Sequence, residues 1–315
     1  MINLSSSVNT KPYFIVNPHS ANGKTGKLWP EVKRLFEGKL GQIDFALTKG
    51  TSHATFLTGK ALYDGHERII AVGGDGTLNE VINGFYAEDK KISPNAILGY
   101  LPSGTGEDFS QTLGIKHLSL EERIGRLLDG GRKMVDVGVV TFRREDGSIM
   151  TRRFINEASA GFTATVAKKV NESSKSLGSY ASYILGILRS LMRLEHYRLK
   201  VEVDGREYFA GDTFMVNVSN GKYFGGSLKI APQAEIDDGW LEIVVVERMG
   251  RLEIIGNMAN VYKGTHLANP KIKHTRGKEI VITSSEKVYI EMDGEPAGLT
   301  EARFKVLPKE LNFIL

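Results

Sequence analysis

The sequence predicts an open, doubly wound α/β domain followed by a domain of antiparallel sheets. Three observations carry that prediction. Apolar runs alternate with helical patterns in the first part of the chain, the rhythm turns to strand-like runs separated by turns after "LLDGGRKMVDVGVV", and glycine loops close several of the early apolar runs. Strands separated by helices pair in parallel through right-handed crossovers, whereas strands joined by short turns pair antiparallel.

In chain order, "YFIVNP" reads as a strand, residues 28–36 as a helix, "IDFALT" as a strand, 54–62 as a helix, "RIIAVGG" as a strand, 78–86 as a helix and "AILGYLP" as a strand. The second part offers strand-like runs at 135–141, 153–156, 197–203, 214–219, 241–246, 279–284 and 288–293, broken by helical patterns at 163–194 and 251–262. The boundary falls near Lys133. No internal repeat and no low-complexity segment interrupts this order.

The chain has 315 residues, enough for two cores, with 41% hydrophobic and 25% charged residues, as in an ordinary globular protein. Its formal charge of +4 suits anionic partners such as nucleotides or acidic lipid surfaces, and nothing points to nucleic acid. There is no cysteine, which excludes disulfides, thiolate chemistry and cysteine-held zinc. The start, "MINLSSSVNT", lacks the features of a signal peptide, so a cytoplasmic location is expected. The most apolar segment, "SYASYILGILRSLMRL", is interrupted by Arg189 and Arg193 and is too short to span a bilayer.

The motif "VGGDGTLNEV" ends a strand and opens a helix, with Gly73, Gly74, Asp75 and Gly76 in the turn and Thr77 or Leu78 at the helix start. Such a turn aims backbone N–H groups and the positive helix end at one point, where a phosphate is stabilised. Asn79 stands where a dinucleotide fingerprint needs its third glycine, which weakens a hydride-transfer reading. In "NPHSANGKTG", Pro18 occupies the place of the leading glycine of a P-loop, so that assignment is rejected, while Asn17, Ser20 and Gly23 remain available to phosphate. "LGYLPSGTGEDF" supplies a third glycine loop with Ser103 and Thr105 as hydroxyl donors, and Asp108 as a helix cap or a metal contact. Farther on, "EIDDGWLE" pairs Asp237 with Asp238. One of these with nearby carbonyls would form an oxygen-rich magnesium or calcium site, the alternative being an acidic hairpin turn. In "YIEMDGEPAG", Glu295 precedes a proline and is either an exposed turn glutamate or a candidate general base.

Taken together, and in this order, "NPHSANGKTG", "VGGDGTLNEV", "LPSGTGEDF", "FINEASAGFTATV", "APQAEIDDGWLE" and "MDGEPAG" resemble the diacylglycerol kinase catalytic-domain family, which includes bacterial lipid kinases, sphingosine kinases and ceramide kinases. The resemblance implies an NAD kinase/phosphofructokinase-like α/β domain over residues 1–133, completed by about 303–315, and a β-sandwich lipid-substrate domain over 134–302, with the final strand returning to the first domain. It implies ATP contacts from Asn17, Pro18, His19, Ser20 and Ala21, from Thr48, from Gly73, Gly74, Asp75, Gly76, Thr77, Leu78, Asn79 and Glu80, and from Ser103, Gly104 and Thr105. It also implies a structural magnesium around Asp238 with Glu235 and Trp240, and Glu295 as the base. One departure stands out: Glu107 occupies a position where the family usually has asparagine.

The function expected is therefore transfer of the γ-phosphoryl group of ATP, with Mg2+, to a lipid hydroxyl, most simply diacylglycerol to phosphatidic acid. Asp75 would orient a catalytic magnesium and Glu295 would accept the alcohol proton. An NAD kinase-like soluble kinase and a non-catalytic lipid carrier are the alternatives. A lipid acceptor calls for peripheral, transient membrane contact. Two segments offer it: the insertion with Tyr180, Tyr183, Ile184, Ile187, Leu188 and Leu191 beside Lys168, Lys169, Lys175, Arg189 and Arg193, and the basic run "KIKHTRGK". A homodimer is compatible with all of these readings.

Overall fold

The structure, a computed structural model, describes residues 11–104, 106–172 and 194–315. The chain forms two compact units. The first comprises the residues up to Gly104 together with His117–Met134 and Leu311–Leu315, and the second comprises the segment ending at Lys116 together with Val135–Glu310. This division gives the segment before Lys116 and residues 303–310 to the second unit, although a boundary near Lys133 assigns the former to the first. The reason is local: Asp108 accepts hydrogen bonds from the backbone N–H groups of Gly226 (2.9 Å) and Ser227 (2.6 Å). Asp108 is thus not the helix cap; it fixes the glycine loop at 225–227, and its burial pushes its carboxyl pKa up.

In the first unit, strands β1 (Tyr13–Val16), β2 (Asp44–Leu47), β3 (Arg68–Gly73) and β4 (Ile97–Pro102) alternate with helices α1 (Lys24–Leu40), α2 (His53–Tyr63) and α3 (Asp75–Gly84). These four strands pair in parallel in the order β2-β1-β3-β4, Asn312 and Phe313 add a further parallel rung beside Ile97 and Leu98, and a separate short hairpin pairs Tyr86–Ala87 antiparallel with Lys90–Lys91. Phe14, Val16, Ile70, Val72 and Leu101 pack with Trp29, Val32 and Phe36 of α1 and Ile124 and Leu127 of α4 (Leu120–Asp129). The intervening residues Ile15, Ile69, Ala71 and Leu98 are equally buried, so both faces of the sheet are covered, as continuous apolar strands demand. At Gly99 a Cβ would meet Ile70 and Leu127 at 2.6 and 2.7 Å, so glycine is what lets α4 pack this closely.

The second unit is antiparallel. Strands β5 (Arg132–Arg143), β6 (Ile149–Phe154), β7 (Glu157–Gly161), β8 (Tyr197–Val203), β9 (Arg206–Ser219), β10 (Leu241–Glu247), β11 (Ile272–Gly277), β12 (Glu279–Ser284), β13 (Tyr289–Met292) and β14 (Glu295–Ile314) make up its sheet. Their pairing order is β11-β10-β9-β8-β12-β14, and β7 and β13 link β9 to β14, with β5 and β6 continuing beyond. Strands β9 and β14 therefore serve both layers, and Val201, Val216, Val218, Ile243, Ile282, Ile290 and Phe304 fill the core. The last residues of β14 belong to the first unit, as expected for a returning strand.

Some elements were not anticipated. Strand β7, "EASAG", is built of small residues without apolar alternation. Strand β11 lies within the basic run "KIKHTRGK", and that run is largely occupied by its own neighbours: Lys271 pairs with Glu253 (2.6 Å), Lys273 with Glu247 (3.3 Å), and Arg276 and Lys278 stack over Trp240. The insertion identified for membrane contact is described as helix α5 (Phe162–Glu172) at its start. The side chains of Lys168, Lys169, Lys175 and 179–193 lie outside the described residues.

Candidate functional site

The first unit brings its glycine loops to one sheet edge. Val16, Leu47, Val72 and Leu101 are in parallel register, so the segments that follow them all leave from the carboxyl ends of adjacent strands. Backbone bonds tie the segments together: Asn17 N–H donates to Val72 O (2.9 Å), Thr48 N–H to Val16 O (2.8 Å) and Ser103 N–H to Gly73 O (2.8 Å). Side chains add a second set of ties. Asn17 Nδ2 donates to Thr77 Oγ1 (3.0 Å), and Thr25 Oγ1 donates to Ser103 O (2.7 Å) while also meeting the Ser20 and Ser103 hydroxyls.

At the centre of this edge Gly74 begins α3 in an extended conformation, with no side chain capping the helix. The N–H groups of a helix's first turn have no partner inside the helix, so an uncapped start is a ready anion site. At Gly73 a Cβ would lie 2.5 Å from Thr77 Oγ1, which leaves no room for any other residue. Gly74 lies close to Gly104, whose Cα would be 3.5 Å from an added Cβ. In the first loop His19 N–H donates to Asn17 Oδ1 (3.0 Å), and Ala21, Asn22 and Gly23 all take left-handed φ angles of 50°, 56° and 82°. A left-handed alanine is strained, and such strain gathers where a ligand or a close approach requires it. Gly26 permits that approach here, because its Cβ would be 2.9 Å from Pro18 O.

The expected nucleotide contacts do not all face one point. Asp75 is half-buried, and Tyr100 Oη donates to its Oδ1 (3.2 Å). Leu78 and Asn79 are fully buried on the inner face of α3. Glu80 turns to α2 instead, its carboxylate accepting from Ser52 N–H (2.7 Å) and Ala54 N–H (3.0 Å), which caps a helix whose own N-cap residue provides no bond. Thr105 lies outside the described residues. Two participants were missed: Tyr100, which looks like an apolar strand residue, and Thr25, which carried a signal only as part of the rejected P-loop.

In the second unit Glu295 sits exposed at the start of β14, on a turn held by buried carboxylates. Asp293, left-handed at φ 47°, accepts backbone N–H bonds from Asn156 (3.1 Å), Glu157 (3.0 Å) and Ile155 (3.3 Å). Gly294 N–H donates to Glu291 Oε2 (3.0 Å), and Ser159 Oγ donates to the other oxygen of Glu291. Glu157, bonded by Asn217 Nδ2 (2.8 Å), is hydrogen-bonded to Glu291. Burial and the neighbouring carboxylates push Glu157 well above the usual carboxylate range, and burial raises Glu291 to about 7.

The acidic turn at 235–240 lies in the same unit. Asp237 and Asp238 are in the turn before β10 rather than on the strand, and Asp238 Oδ1 accepts from Trp240 N–H (3.0 Å). Asp136, fully buried on β5 and missed in the sequence, accepts from Gly239 N–H (2.6 Å) and Lys309 N–H (2.7 Å). Desolvation, and then the charge of Asp136, push Asp238 up. Asp136 is itself pushed up by desolvation and, more weakly, by the charge of Asp237, and carboxylates clustered in this way at an oxygen-rich turn suit a hard cation. Among the described residues no group of three or more acidic or histidine side chains is placed to hold one.

A cavity of about 100 Å³ opens within the second unit, lined by Phe162, Phe214, Phe224, Met249, Met258 and Ile272 among others. Its polar contributions come from Thr163, Asn257 and His266. The His266 ring is buried, with Nε2 against Ile230 O at 3.0 Å and no partner for Nδ1, and burial lowers its pKa.

Residues 11–140 match the diacylglycerol kinase catalytic domain, and residues 156–315 match the YegS C-terminal NAD kinase beta sandwich-like domain. The chain belongs to the diacylglycerol kinase catalytic-domain family. Within that family it is 30% identical over 299 residues to the diacylglycerol kinase of Staphylococcus aureus strain Newman, covering 95% of this chain and 90% of that one. It is 26% identical over 301 residues to the diacylglycerol kinase of Bacillus subtilis strain 168, covering 96% and 95%. A solved structure named for a diacylglycerol kinase of Bacillus anthracis strain Sterne superposes with a TM-score of 0.75 at 25% identity, covering 96% of this chain and 97% of that one. Family membership gives the departure at Glu107 a physical meaning: its φ is 53°, a left-handed angle that asparagine tolerates better than glutamate.

Proposed function

We propose that this protein is an ATP-dependent lipid kinase that phosphorylates the hydroxyl of diacylglycerol. The observation that carries the reading is the uncapped start of α3 at Gly74, surrounded at one sheet edge by the Asn17 and Ser103 loops. The residues present fit a polyphosphate: backbone N–H donors, hydroxyls and tightly packed glycines, with the Glu80 carboxylate turned away to α2. Bound Mg-ATP supplies the transferable γ-phosphoryl group. The N–H groups of residues 74–77 would hold its phosphates, and Asp75, steadied by Tyr100, would orient a catalytic magnesium directly or through water. Glu295 takes the proton of the acceptor hydroxyl, on a turn held by Asp293 and Glu291. The Asp238 carboxylate, with the backbone of Glu235 and Trp240, would hold a structural magnesium in the turn that Asp136 braces through Gly239 N–H. The apolar lining of the second unit's cavity is compatible with a lipid acceptor, and the names of the relatives point to diacylglycerol.

The test is transfer of labelled γ-phosphate from Mg-ATP to vesicles containing diacylglycerol, undecaprenol, sphingosine or ceramide, with NAD as a soluble control. Labelled phosphatidic acid that disappears in Asp75→Ala is expected. Label in NAD alone would move the protein to the NAD kinase reading, and no nucleotide binding would leave a lipid carrier.

A further inference from the structure

Helix α6 (Arg251–Lys263) is two-faced in an unusual sense, since both of its faces are apolar. Ile254, Met258 and Val261 point inward and line the cavity. Leu252, Ile255, Ala259 and Tyr262 follow one another at steps of three, four and three residues, the spacing of a single stripe about a third of a turn away from the inner face. That stripe faces solvent: Leu252 is 84% exposed, Ile255 57% and Tyr262 50%. An exposed apolar stripe of this kind marks an interaction site, because scattered single residues do not align.

The charge around the stripe selects its occupant. Between residues 247 and 273 stand Arg248, Arg251, Lys263, Lys271 and Lys273. Arg248 is paired with Asp212 (3.5 Å), Lys273 with Glu247 and Lys271 with Glu253, so the bases beside the stripe itself are Arg251 and Lys263. Arg251 and Lys263 are exposed at the two ends of the helix. An apolar stripe of Leu, Ile and Tyr with basic ends is the composition of an element that lies in the headgroup region of an anionic bilayer. A second copy of the chain fits less well, because a stable dimer buries roughly 800 Å² per partner and one helix of three to four turns presents much less.

We propose that the outer face of α6 docks the protein on anionic phospholipid surfaces, with Leu252, Ile255 and Tyr262 entering the bilayer interface and Arg251 and Lys263 meeting the headgroups. The same helix forms the wall of the cavity, so docking brings the cavity to the depth at which a lipid acyl chain begins. The choice of a lipid surface rests on the lipid-kinase reading, while the stripe and its charge do not.

The chain has no cysteine, so Ile255→Cys carries a single environment-sensitive fluorophore. Titration of the labelled full-length protein with vesicles of three parts phosphatidylcholine to one part phosphatidylglycerol should shift its emission to the blue, and pure phosphatidylcholine should shift it far less. In sedimentation with the same vesicles, Leu252→Asp/Ile255→Asp should lose at least about tenfold in binding. Arg251→Gln and Lys263→Gln should each lose about fivefold, the factor equivalent to about 1 kcal/mol per charge. Both positions of the double variant are exposed, so its thermal melt should match the parent, and Leu252→Ala/Ile255→Ala provides a milder second variant. Three outcomes overturn the proposal: a parent protein that does not sediment with anionic vesicles, variants that sediment as the parent does, or self-association of the parent that the double variant abolishes. Activity separates this proposal from the kinase reading. The double variant should phosphorylate detergent-dispersed short-chain diacylglycerol as the parent does, whereas a parent that binds vesicles yet phosphorylates no lipid refutes the kinase reading and leaves docking intact.

Discussion

The turn that begins α3 and the turn that carries Glu295 are both short glycine turns beside a strand, yet they are built on opposite principles. The first uses backbone. Residues 74–77 present N–H groups at an uncapped helix start, and the ties around it are made by hydroxyls and an amide. The second uses buried charge. Asp293 and Glu291 accept the backbone N–H groups of residues 155–157 and 294, and Glu157 is hydrogen-bonded to Glu291. A backbone cradle offers the same donors at any pH, whereas a carboxylate clamp works in a particular protonation state. An anion site and a base-bearing turn need those two different behaviours.

The largest effect expected from breaking this contrast is on turnover. Glu295→Gln, exposed and therefore structurally mild, should lower kcat by about 10²- to 10⁴-fold with ATP affinity unchanged, read in a lipid-phosphorylation assay and by calorimetry. Near-parental turnover would remove Glu295 from the role of base. Next comes Gly73→Ala, whose Cβ would fall 2.5 Å from Thr77 Oγ1. It should cost about 1–3 kcal/mol of stability by overpacking and weaken ATP binding at every pH alike. A pH-dependent loss would break the distinction drawn between the two turns.

Glu291→Gln sharpens the other side. Burial raises the Glu291 pKa to about 7 from an ordinary 4.5, so the folded protein binds more protons than the unfolded chain between those values. Its contribution to stability is therefore greatest at low pH and is lost as pH rises from about 4.5 through 7, with a slope of up to about 1.4 kcal/mol per pH unit. Urea unfolding from pH 4.5 to 8 should show this decline in the parent and a flatter profile in Glu291→Gln. Parallel profiles would exclude a raised Glu291 pKa in the folded protein. The smallest effect belongs to Glu107→Asn, which places a residue suited to the left-handed region at φ 53° and should stabilise the protein by about 0.5–1 kcal/mol in the same assay.

Much of this was legible in the sequence because periodicity reports burial. The parallel strands of the first unit are continuous apolar runs, and the loops that follow them contain the residues that the fold gathers at one edge. Strand β7 was not legible, since "EASAG" has neither apolar alternation nor β-branched residues, and its place is set by pairing with β9 and β13. Nor were the roles of Glu80, Asp108, Asp136 and Glu157. Each is a charged residue whose partner lies more than 25 positions away, so no local pattern could name it.

By itself the sequence determined the two-domain class, the phosphate-type turn at Gly73–Gly76 and the family, because these depend on short-range spacing: apolar periods, glycines and the order of motifs. Only the tertiary structure decided which charges are spent internally and which remain for ligands. It turned the basic run at 271–278 into a strand occupied with Glu253, Glu247 and Trp240, and it left the apolar stripe of α6 facing solvent. The physical reason is that burial and pairing are properties of space rather than of spacing. A helix with two apolar faces reads as a core helix until the fold shows that only one of them is covered.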